Sequence, residues 1–217
     1  MDQPLWLLTA VLASAPTLMA GDRIPIESVV AFHTQCANCH EGECSGRLSF
    51  DLGPTVADAH IRRHGGALPL ETVRDLAELL RYMKERCAFY PLPLALIEDR
   101  TWGVDVLRHL RAPDGTAYFL PLGRLAPGAY RLWLDMPDPG PAGRPDATAE
   151  IIAADFEPLP GLGSSWVDGR WLLQFQVDGP AEHYARLKAD RPIALVRAEL
   201  TPAPAGHLGP PCPNPGP

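Results

Sequence analysis

At Pro91 the spacing of apolar residues changes period, and that change limits what this chain can fold into. Before it, Val73, Leu76, Leu80, Met83 and Cys87 step by three and four residues, which lays one apolar stripe along a helix from Leu70 to Cys87. Glu71 and Asp75 sit toward the positive end of that helix, and Lys84 and Arg86 toward the negative end. Pro91 and Pro93 stop it. Beyond them come short segments rich in β-branched, aromatic and Leu residues: Trp102 to Leu110, Thr116 to Leu120, Ala129 to Asp135, Thr148 to Phe156, Arg170 to Val177 and Pro192 to Leu200. Turns such as Pro-Asp-Gly and Ala-Pro-Gly separate them. Tyr130, Leu132 and Leu134 alternate with Arg131, Trp133 and Asp135, the pattern of a strand with one buried face. The pattern predicts α + β in separate domains. An all-α N-terminal domain covers residues 21–93, and an antiparallel β-sandwich or barrel covers residues 94–201.

The 25 Pro and 19 Gly among 217 residues punctuate the chain densely, yet 46% of it is hydrophobic, enough to bury a core and exclude wholesale disorder. A formal charge of -7, from 26 acidic and 19 basic residues, excludes a phosphate-tracking nucleic-acid binder, which needs a basic stripe. Leu5 to Ala20 carries no charge, and Ala20 is a small residue suited to cleavage. Residues 1–20 are therefore expected to be a signal peptide and the mature chain to be periplasmic or otherwise exported. Met1, Asp2, Gln3 and Pro4 depart from the usual pattern, since no Lys or Arg precedes the apolar run. Interrupted by Pro16, that run falls short of the roughly 20 residues that cross a bilayer, so no stable membrane span is expected. Residues 202–217 hold seven Pro and no Asp, Glu, Lys or Arg, and are expected to form a disordered tail.

Cys36-Ala37-Asn38-Cys39-His40 occurs once and has the C-x-x-C-H spacing through which heme c is attached. On one helical turn two thiols reach the two vinyl groups of a single porphyrin, and the next residue places its imidazole under the iron. Pro25 to His40 is expected to be the helix that carries the motif, with Pro25 in its first turn and Glu27 near its N-terminus. His33 is expected half-exposed on that helix. A thioredoxin-type redox pair would need a preceding strand and βαβ surroundings, and neither is readable. A zinc site completed by Cys44 and His60 is the other chemistry open to these residue types, although their spacing matches no familiar zinc pattern.

On these residues the chain resembles the c-type cytochromes over about residues 22 to 90. The resemblance implies a small single-heme, cytochrome c-like domain with one covalent heme c on Cys36 and Cys39 and His40 as proximal iron ligand. It makes Leu70 to Cys87 the C-terminal helix of that domain, packed across the motif helix. It also implies a sixth iron ligand from the loop just before that helix, here Val56 to Pro69, which holds no Met. His64, followed by Gly65 and Gly66, lies closest to the expected place, and His60 is one helical turn earlier on the same face. Met83 is the thioether alternative, and an open sixth site is the last. Arg47 follows the motif closely enough to pair with a heme propionate, with Leu48 and Phe50 as porphyrin contacts.

The second module shows no comparable motif. His109, His183 and His207 are widely spaced, with His183 expected on the surface, and Trp102, Trp133, Trp166 and Trp171 are expected in the sheet core. The whole implies an electron carrier more than an enzyme: an exported single-heme cytochrome that exchanges electrons with a redox protein partner, its β module serving for docking. Two other classes stay open. One is a heme-based gas or redox sensor or small catalyst with an open distal site; the other is an accessory binding subunit of a larger complex.

Three cysteines remain once heme takes two, and Cys212 falls in the Pro-rich tail, so Cys44 and Cys87 are expected to pair. Such a bridge closes a loop of about 40 residues and contributes about 3 to 4 kcal/mol through the unfolded state. Alkylation of unfolded, unreduced protein is expected to label Cys212 and spare Cys44 and Cys87. Labelling of all three contradicts the bridge.

Overall fold

Among the described residues eight strands form, and every pairing among them is antiparallel: β1 (Thr101–Gly103), β2 (Ala117–Leu125), β3 (Gly128–Asp135), β4 (Ala147–Ala153), β5 (Gly163–Val167), β6 (Arg170–Val177), β7 (Ala181–Ala189) and β8 (Arg197–Pro202). The computed structural model describes residues 24–40, 54–66, 68–92, 99–137 and 146–204. The expected signal peptide and the tail beyond residue 204 lie outside them. One sheet has the order β1-β8-β3-β6-β5 and the other β2-β7-β4. Register follows the alternation read in the sequence: Leu132 stands opposite Leu173 on β6 and Leu200 on β8, and all three are buried. In β2 the ladder shifts between Pro121 and Gly123. Proline has no N–H to donate there, and Gly123 takes a φ of 78° that suits glycine.

Two strands differ from the sequence expectation, and one expected strand turns helical. After β1 the chain forms a short helix, α5 (Val104–Leu107), and a 3-10 turn over Arg108–Leu110. Leu107 and Leu110 lie three residues apart and are both fully buried, so helical spacing outweighs the local β-like composition. β5 and β7 carry too many polar residues to announce themselves, although β7 is the central strand of its sheet. His183 was expected at the surface; instead it is buried on β7, with its Nδ1 2.8 Å from the Ala181 carbonyl.

The helices are α1 (Ile26–Ala31), a π-helical turn over Phe32–Cys36, α2 (Ala37–His40), α3 (Pro54–Gly65) and α4 (Leu70–Arg86). The first three run on as the single helix expected from Pro25 to His40. α4 buries Val73, Leu76, Leu79 and Met83, close to the stripe in the sequence. It ends at Cys87, whose φ of 49° is left-handed. Cys87 is disulfide-bonded, and its expected partner Cys44 lies outside the described residues.

The β-rich part matches the expectation, while no separate all-α domain is shown: the described helices pack on the sheet. β2 is buried on both faces, because the helices pack on one side of the smaller sheet. Phe119 of β2 stacks on His33 with ring centroids 4.5 Å apart, and Phe89, just past α4, lies 4.4 Å from the Tyr184 ring of β7. Each such aromatic side chain contributes about 1.5–3 kcal/mol through burial. One hydrophobic cluster therefore runs from Val29 and Leu76 of the helices to Leu132 and Phe175 of the larger sheet. Polar ties reinforce it: Ser28 Oγ donates to Asp75 Oδ2 at 2.7 Å, and Glu27 of α1 pairs with His109 at 2.9 Å.

His33 is the cost of this packing. It was expected half-exposed, but is 1% exposed, because the π turn aims it at Phe119. Neither ring nitrogen has a hydrogen-bond partner. Burial, and then the Arg186 charge, hold its pKa down at about 3, below its ordinary 6.5. The unfolded chain therefore takes up a proton that the folded chain refuses. Stability present above about pH 6.5 is lost as pH falls toward 3, by about 1.4 kcal/mol per pH unit. His33→Leu removes both this dependence and the unmet polar atoms. Urea denaturation at pH 7 is expected to show a gain of roughly 1–3 kcal/mol, widening at pH 5. A variant less stable than the parent at both pH values would show that the imidazole is satisfied.

Candidate functional site

The π turn decides where the motif points. Ala37 N–H donates to the Phe32 carbonyl, five residues back, so the turn holds one more residue than an α-helical one. Thr34 Oγ1 donates to the Val30 carbonyl at 2.7 Å, a back-bond typical of hydroxyls in helices. His33 then faces the sheet, while Phe32, Gln35, Cys36 and Cys39 turn toward α3 and α4.

There they meet a cavity of about 160 Å³, completed by His60, Ile61 and His64 of α3 and by Leu76 and Leu80 of α4. Four residues singled out in the sequence, Cys36, Cys39, His60 and His64, are thus brought to one space. His60 and His64 have ring centroids 4.7 Å apart, the neighbour relation that a four-residue helical step imposes. Met83 does not line the cavity; it is buried in the core stripe of α4. His40 closes α2, but its side chain lies outside the described residues, as do Arg47 and Cys44. The walls Phe32, Ile61, Leu76 and Leu80 went unread as site residues, because in sequence they are ordinary members of apolar stripes.

Electrostatics separate the two thiols. Cys36 is half-buried and Cys39 exposed, and both are free. Burial first, and the neighbouring Cys39 second, push the Cys36 thiol up to about 11. This is opposite to the lowered pKa of a dithiol redox pair. The donor set fits heme c: two thiols one turn apart, imidazoles on a facing helix, and apolar walls of the kind a porphyrin covers. A larger cavity of about 390 Å³ lies on the other flank of the π turn, between Thr34 and Gln35 and the strand residues Thr148 and Lys188, with Asp114, Asp146 and Asp190 at its rim. It presents no thiol or imidazole. Gln35 borders both spaces.

No protein-family model, curated protein or solved structure matches this chain.

In polypeptide prepared without heme, iodoacetamide at pH 8 is expected to modify Cys39 well before Cys36. The Cys36 rate should climb about tenfold per pH unit up to about 11. Equal rates at pH 8 would show that Cys36 is not desolvated.

Proposed function

We propose that this chain is an exported single-heme c-type cytochrome that carries electrons to or from a redox protein partner. The observation that carries the reading is the convergence of Cys36, Cys39, His60 and His64 on one apolar cavity. Heme c bound there supplies an iron that takes up and returns one electron. The chain's own residues do the rest. Cys36 and Cys39 hold the group through thioethers, and the high pKa of Cys36 keeps that thiol protonated until it is used. His40 would hold the iron, and His60 or His64 would be its second imidazole. Phe32, Ile61, Leu76 and Leu80 would exclude water from the group and lower the local dielectric, which helps to set a heme's potential. Arg47 pairs with a propionate. The helices over residues 24–92 then act as a cytochrome c-like unit resting on the smaller sheet, and the β module docks the partner. Among the described residues no helix is long and apolar enough to cross a membrane.

A second reading, a heme-based sensor for a small gas, is favoured by one feature. Both candidate distal histidines are solvent-exposed, so an incoming ligand has access to displace them.

Mass spectrometry of exported, denatured protein is expected to show one retained heme per chain. Cys36→Ala is expected to leave a single thioether through Cys39. A mass equal to the bare polypeptide overturns the proposal, and stoichiometric zinc in place of heme assigns the same four residues to a Cys2His2 site.

A further inference from the structure

Resting on the reading of this cavity as a heme site, we propose that His60 and His64 are alternative axial ligands, so that the sixth position of the iron is shared between two imidazoles. Both line the same cavity as the attachment thiols, and their rings are 4.7 Å apart with planes inclined by 47°. Passing from one to the other moves a donor by less than one helical turn, whose pitch is about 5.4 Å.

α3 is suited to that movement. Between Val56 and Gly65 only Ile61 is buried, and Ala57 packs partly against the core. Its neighbour α4 buries Val73, Leu76, Leu79 and Met83. α3 therefore buries fewer side chains than α4, and a small tilt of it breaks few apolar contacts. Ile61 lies between the two histidines in sequence, so a tilt of α3 about it would advance one ring as it withdrew the other. At the end of α3, Gly66 has a φ of 78°, which lets the connection follow without strain. With heme bound, either imidazole would hold the iron through one ring nitrogen, so replacing one by the other would change neither charge nor oxidation state.

The test uses the full chain, exported and matured with heme, as parent, His60→Ala, His64→Ala and the double variant. Alanine at these exposed helical positions keeps helix propensity, and far-UV circular dichroism checks the fold. Ferric absorption and low-temperature paramagnetic resonance are expected to show six-coordinate, low-spin iron in the parent and in both single variants, with small shifts in g values between the two. The double variant is expected to be high-spin and to return to low-spin on adding imidazole. A single variant already as high-spin as the double assigns one fixed ligand and overturns the proposal. A double variant that stays low-spin overturns it too, by placing the ligand elsewhere. Absence of heme from the parent refutes the heme reading itself, and is seen before any variant is compared.

Discussion

The packing of one helical turn on one strand holds this structure together. Phe32–Cys36 meets β2 through the stack of His33 on Phe119, and the same turn presents the two thiols on its other side. Orientation of the motif is therefore fixed by a contact made behind it. Arg186 of β7 secures that contact. It is a nearly buried guanidinium that donates through Nε and Nη2 to Glu150 Oε2, at 2.9 and 2.7 Å, and through Nη1 to the His33 carbonyl at 3.4 Å. A desolvated cation is tolerable only with such partners, and one of them is the backbone of the motif helix.

The arrangement carries opposing demands. Aromatic burial around His33 stabilises the junction, and the same burial deprives the imidazole of water and of any partner. Its low pKa and the raised pKa of Cys36 have one cause, removal from water, acting on groups of opposite charge type. Both groups stay neutral, so the motif helix crosses the protein without placing an uncompensated charge in the core.

Sequence period made most of this legible. α4 and strand β3 follow from apolar spacing, because each buries one face: a helical stripe in α4 and alternate residues in β3. β7 was hidden because its alternation is written in unusual residues: His183 and Arg186 occupy buried positions where aliphatic side chains are the rule. The packing of helices on the smaller sheet is hidden in the sequence for a related reason. A strand buried on both faces, such as β2, shows no alternation from which a covering layer of helices is read. At the site, Cys36, Cys39, His60 and His64 were identifiable by chemical type and spacing. The π turn was not, since widening a helix by one residue needs no particular side chain and results from packing demands on both of its sides.

That π turn makes length, more than composition, the quantity to be preserved between Val30 and Cys36. Removing one residue there would restore α-helical winding and change the angle between His33, which faces the sheet, and the thiols, which face α3 and α4. Many side-chain exchanges in this stretch leave the geometry intact, whereas a single-codon insertion or deletion disconnects the two faces of the helix from each other.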